Sequence, residues 1–199
     1  MTLVENTTPI ADIAPRVQAA RHSYEQGVTK PYRWRVATLK RLQSLVQERE
    51  SRLLDALAAD FGKPRPEAWT TEIGFTVSDI THTLAHLPSW MQPRKVSTPV
   101  AFKPGTSTIV SEPVGVTCVI APWNYPLLMA GWKIGPALAT GNTVVLKPSP
   151  LTPLEAFVLG EIADAAELPP GVLNVVTGGV PESEHLTTHP GVEMVSFTG

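Results

Sequence analysis

A single cysteine, Cys118, in 199 residues leaves no partner for an intrachain disulfide and no cysteine-rich zinc site. No segment reaches the roughly 18 consecutive apolar residues of a membrane span. The N-terminal stretch MTLVENTTPIADIAP lacks the basic start and apolar run of a secretory leader, so the chain is read as cytoplasmic. Charge of one sign is never concentrated: 16 basic and 18 acidic residues are mixed to a net charge of -2. Without a basic block to neutralise a row of phosphates, nucleic acid is not an expected partner. No GxGxxG follows any apolar run, and Gly178-Gly179 alone is weak evidence for a phosphate loop. His82 and His86, like His185 and His189, are four residues apart, but neither pair has a third ligand beside it, so no metal site is expected.

With 43% hydrophobic residues, the chain can bury a substantial core. Its 20 prolines fall mostly at element boundaries. Ile10, Ile13, Val17 and Ala20 predict a first helix over residues 9–26, stopped by Gly27. A second helical pattern opens at Thr29 and runs through Val36, Leu39, Leu42, Leu45, Val46, Leu53, Leu54 and Leu57 to Gly62, with a break near Glu50. A third, residues 66–91, places Trp69, Ile73, Val77, Ile80, Leu84 and Leu87 on one stripe.

The period then changes. TPVAFKP and TSTIVSEP flank Pro104-Gly105 and predict a β-hairpin over residues 97–113, outside the alternation that follows. An exposed two-stranded ribbon is marginal alone, so an interface role is expected. After Pro113 the chain alternates strand and helix: strands at 115–121, 143–147, 173–177 and 193–197, and helices at 126–140, 153–167 and 181–188. Strands apolar on both faces and joined by helices belong to a covered parallel sheet. The fold class is therefore α/β: a helical segment (1–96), the hairpin (97–113), and the first half of a doubly wound, nucleotide-binding sheet (114–199).

Such sheets bind ligands at the carboxyl ends of their strands. The strand at 115–121 delivers Ala121-Pro122-Trp123-Asn124-Tyr125-Pro126, in which two prolines hold one amide side chain. An Asn amide fixed at the mouth of a sheet can donate to a developing oxyanion, which lowers a barrier by about 3 to 4 kcal/mol. Asn124 can equally cap the helix that follows. Lys147, at the end of the next strand, can bind ribose hydroxyls or phosphate, or can simply be a solvated strand-end lysine. Cys118 lies inside an apolar strand and reads as core.

These segments carry a resemblance. Residues 121–126 (APWNYP), 141–149 (GNTVVLKPS), 171–176 (GVLNVV) and Phe197-Thr198-Gly199 are similar to the aldehyde dehydrogenase superfamily. Phe61-Gly62-Lys63-Pro64, Thr71-Glu72-Ile73-Gly74-Phe75 and the hairpin resemble its class 3 branch. The resemblance implies a Rossmann-like aldehyde dehydrogenase fold and NAD(P)-dependent oxidation of an aldehyde to a carboxylic acid through a cysteine thiolate and a glutamate base. It implies that Asn124 is the oxyanion donor, that Trp123 lies at the nicotinamide end of a site bordered by Ala121 and Pro122, and that Lys147 bonds the adenosine ribose. Gly199 would begin a turn that presents a helix N-terminus to the pyrophosphate. The hairpin would belong to an oligomer-forming element, most simply a homodimer. Position 150 is Pro where NAD-preferring members often carry Glu, so NADP is expected to be tolerated beside NAD. The family's nucleophile and base lie beyond Gly199, and Cys118 does not match the nucleophile's motif. The chain is thus expected to be a truncated N-terminal portion, inactive alone, or else a non-catalytic subunit that associates with a full-length relative or a complementing chain.

Overall fold

A computed structural model describes residues 7–199. Residues 1–6 of the N-terminal segment, including most of the stretch before the first helix, lie outside the described residues. The helices are α1 (Ile10–Glu25), α2 (Tyr32–Glu48), α3 (Glu50–Phe61), α4 (Arg65–Ala68) and α5 (Phe75–Trp90), with a π-helical turn at Trp69–Gly74 between the last two. A ribbon of β1 (Arg94–Val96) and β2 (Ser107–Ile109) follows, and then β3 (Val116–Ile120), α6 (Pro126–Ala139), β4 (Thr143–Lys147), α7 (Leu154–Ala165), β5 (Leu173–Val175), α8 (Val180–Thr187) and β6 (Met194–Phe197).

The four later strands form one parallel sheet in the order β5-β4-β3-β6. Side chains of successive strand residues point to opposite faces, and both faces are apolar here. Val116, Cys118, Ile120 and Val145 pack with Ile13, Val17 and Ala20 of α1 and Leu186 of α8. Val119, Ala121, Val144 and Leu146 enter the larger cluster on the other side, with Leu42, Leu45, Leu53 and Leu57 of α2 and α3, Leu127 and Leu138 of α6, and Ile162 of α7. The helical segment and the sheet therefore share one continuous core. Among the described residues, no helix is long and apolar enough to cross a membrane.

Two elements differ from the sequence expectation. The ribbon is shorter and earlier than residues 97–113: Arg94 pairs with Ile109 and Val96 with Ser107, and a 3-10 turn at Val100–Phe102 fills the connection. Pro99 and Pro104 cannot donate to a ladder, which keeps TPVAFKP out of a strand. The stripe over residues 66–91 is also not one α-helix. The π-turn carries an extra residue, so Trp69 rotates away from Ile73, stands half exposed and donates its indole N–H to Glu50 at 2.9 Å.

At Gly141, the predicted stop of α6, φ is +93°, and a Cβ there would sit 2.7 Å from Nη2 of the buried Arg35. Arg35 is not free to yield, because its guanidinium donates to the carbonyls of Thr29 at 3.0 Å and Ala139 at 3.4 Å. Gly141→Ala is expected to lower folding stability by about 1–2 kcal/mol, read as a lower urea midpoint with an unchanged slope. An unchanged midpoint would show that α6 can end without a left-handed residue.

Candidate active site and cofactor cleft

The carboxyl ends of β3, β4 and β6 converge on one edge of the sheet. Ile120 is in register with both Lys147 and Phe197. Beyond these pairs, the Ala121 N–H donates to the Lys147 carbonyl at 3.1 Å and the Thr198 N–H to the Ile120 carbonyl at 3.1 Å. At this edge, Ile120, Lys147, Pro150, Gly179, Glu184 and Phe197 line a cleft of about 420 Å³.

Lys147 is not a solvated strand-end lysine. Its residue is 3% exposed, and Nζ donates to the carbonyls of Pro148 and Gly178, both at 2.8 Å. Burial lowers its pKa from the ordinary lysine value, and the nearby Glu182 carboxylate opposes that shift. Glu182 is itself fixed, accepting the Gly179 N–H at 2.7 Å at the start of α8. An ammonium has three donors, so Lys147 retains one for a ligand in the cleft that it lines.

Asn124 lies on the exposed turn between β3 and α6, next to Trp123, which is 52% exposed. Neither residue lines the cleft around Lys147, although both stand at the same edge of the sheet. The residue preceding α6 is Tyr125, and no side chain of its own caps the helix. Among the described residues, Asn124 has no side-chain hydrogen bond, so its amide is free for another acceptor. Pro126 occupies the first turn of α6, where its missing N–H costs nothing. Ala121 is buried, Pro122 is half-buried, and Gly199 is exposed just past β6.

Cys118 is fully buried, and burial pushes its thiol up to about 11, so it is not a nucleophile at neutral pH. His82 and His86 stack at 4.0 Å between ring centroids beside Trp90, and His86 Nδ1 lies 2.8 Å from the His82 carbonyl.

The structure also shows charged groups that periodicity did not single out as functional. Lys63 and Glu72 form a buried ion pair at 2.5 Å beneath the Asn124 turn. Asp60 accepts the Leu154 N–H at the start of α7 at 2.9 Å, and Glu155 lies fully buried in the same first turn. Lys63 stands between Gly62 and Pro64, and Glu72 stands one residue from the apolar stripe; both lie in the two motifs that carry the class 3 resemblance, which was the sequence signal that could have marked them.

Residues 5–199 match the aldehyde dehydrogenase family model. The chain is 40% identical over 196 residues to an aminoacetaldehyde dehydrogenase of Pseudomonas aeruginosa, covering 94% of this chain and 38% of that protein. It is 38% identical over 176 residues to aldehyde dehydrogenase family 3 member H1 of Arabidopsis thaliana, covering 88% of this chain and 36% of that one. It superposes on the NAD+ complex of an aldehyde dehydrogenase from Bacillus cereus with a TM-score of 0.89 at 32% identity, over 97% of this chain and 39% of that one. The 199 residues thus span less than two fifths of the length of each of these proteins. With the sheet order, the turn after β3 and the cleft at Lys147 all in place, the chain belongs to the aldehyde dehydrogenase family.

Proposed function

We propose that these residues form the N-terminal part of an NAD(P)-dependent enzyme that oxidises an aldehyde to a carboxylic acid. The observation that carries this reading is the pairing, at one sheet edge, of an unengaged Asn124 amide with a cleft floored by the buried Lys147 ammonium. The donor set fits a dinucleotide. Lys147 has a remaining N–H for ribose hydroxyls, and Gly179 begins α8 at the cleft wall. Bound NAD(P)+ would supply the hydride acceptor. Asn124 would donate to the oxygen of the attacked carbonyl, Trp123 would border the nicotinamide end with Ala121 and Pro122, and Gly199 would open the turn toward the pyrophosphate.

Pro150 lines the cleft without a charge, which supports acceptance of NADP as well as NAD. Val100, Phe102 and Val110, exposed around the β1-β2 ribbon, support a homodimer or association with a complementing chain. The reading places the protein in the cytoplasm.

Because the one thiol in these 199 residues is walled into the sheet, the residues by themselves offer no thiolate. The purified 199-residue chain is expected to form no reduced nicotinamide from aldehyde with either cofactor, and an active enzyme that contains these residues is expected to accept NADP+ beside NAD+ in calorimetry. Aldehyde-dependent turnover by that chain would refute the role assigned to Cys118. Binding of NAD+ with none of NADP+ would refute the role assigned to Pro150.

A further inference from the structure

Beneath the Asn124 turn, the π-turn and the segment before α4 bring two opposite charges together. Glu72 is 0% exposed and Lys63 is 5% exposed, and Lys63 Nζ donates to Glu72 Oε1 at 2.5 Å. Each has a further engagement, and apart from the Phe61 ring, whose centroid is 5.6 Å from Lys63 Nζ, these fall on one short stretch. The other Glu72 oxygen accepts the Leu128 N–H at 2.8 Å. Lys63 Nζ donates to the Asn124 carbonyl at 3.4 Å and lies 4.1 Å from the ring centroid of Tyr125. Among the described residues, no other side chain hydrogen-bonds the main chain of residues 122–128. Trp123, Asn124 and Tyr125 are exposed, Tyr125 with its ring against the Lys63 ammonium.

Pro122 and Pro126 fix φ at the two ends of this turn, but they leave the torsions of the three residues between them open. The ion pair grips that open part at Asn124 and Tyr125 and secures the first turn of α6 at Leu128. As a stability device such a pair is poor, because desolvating two charges offsets most of their attraction. What it supplies is direction: an ammonium and a carboxylate held by each other, with their remaining bonding capacity aimed at the main chain that carries one amide side chain.

We propose that Lys63 and Glu72 are positioning residues, which hold the main chain of Asn124 and thereby aim its side-chain amide at the reacting carbonyl oxygen. The proposal rests on the reading of Asn124 as the oxyanion donor. In the isotope-labelled 199-residue chain, the Asn124 side-chain amide resonances are identified by their loss in Asn124→Asp. Lys63→Met is expected to shift or broaden those resonances, and Glu72→Met to speed exchange of the Leu128 amide by about tenfold or more. Exchange in β4, remote from the pair, stays unchanged. Lys63→Arg keeps the charge and the donors and is expected to retain the parental Asn124 signal, a rescue that a space-filling role would not require.

Where a single variant leaves an unpaired buried charge and does not fold, the neutral double variant Lys63→Met/Glu72→Gln gives the same reading. A parental Asn124 signal in that folded double variant overturns the proposal. The underlying reading fails differently: the Asn124 signal responds to the pair, yet Asn124→Ala leaves kcat unchanged in an active enzyme that contains these residues.

Discussion

Replacing Glu155 by methionine is expected to make the chain more stable at neutral pH, by about 1–3 kcal/mol, the desolvation cost of a buried polar group left without a hydrogen bond. Glu155 is fully buried, and neither of its oxygens has a hydrogen-bond partner among the described residues. Burial, and then the negative charge of Asp60, push its carboxyl well above the usual range; the first-turn N–H groups of α7 oppose this without forming a bond of normal geometry. Asp60 is pushed up to about 6, again chiefly by burial, against the pull of the Leu154 N–H. Glu72 is raised by burial too, with Lys63 opposing.

A carboxyl whose pKa is higher folded than unfolded takes up a proton on folding. Its contribution is complete below the unfolded value and is lost as the pH rises through the folded value. The unmodified chain is therefore expected to gain stability on going from about pH 6 to about pH 4, the window between the raised Asp60 pKa of about 6 and its ordinary value of 3.8. His189, lowered by burial and by His185, acts in the opposite sense over this window, as one partly exposed group against three buried carboxyls. Urea midpoints at the two pH values measure the outcome. A lower midpoint at the acidic value, or a Glu155→Met variant less stable than its parent, would contradict it.

In an active enzyme that contains these residues, Asn124→Ala is expected to reduce kcat by about 10²–10³-fold, the effect of removing one preorganised oxyanion donor. KM for the cofactor should change little, because Asn124 does not line the Lys147 cleft. Asn124→Asp should be at least as damaging, since a carboxylate repels charge developing on the substrate oxygen. Steady-state kinetics with saturating cofactor separate the cases. If cofactor KM rises while kcat holds, Asn124 is a binding residue and the oxyanion role is lost.

Much of this architecture was legible because it repeats a period. The expected strand at 143–147 matches β4, and the break near Glu50 falls at Arg49, where α2 gives way to α3. Periodicity failed where backbone chemistry or an inserted residue interrupts it, as at Pro99 and Pro104 in the ribbon and at Trp69 in the π-turn. In the site, Asn124 and Lys147 were visible from their place at strand ends. The burial of Lys147 was not, because its carbonyl acceptors come partly from Gly178, which is 31 residues further along the chain. Lys63 and Glu72 act on a turn about sixty residues away, as the 61-residue separation of Lys63 from Asn124 shows, and such a relation exists only after folding.

The π-turn sets a length requirement on the helical arm. An α-helix advances about 100° per residue, so removing one residue from Trp69–Gly74 would let α4 and α5 fuse into a regular helix and swing whatever precedes the deletion roughly a quarter-turn around the axis. When the residue removed is Thr70 or Thr71, Lys63 lies on that side of the deletion and Glu72 on the other, so the two charges would part although both remain in the chain. The spacing from Gly62 to Gly74 is thus held by geometry, residue count included, whereas the loop between β1 and β2 touches no such constraint and can change in length without reaching the Asn124 turn.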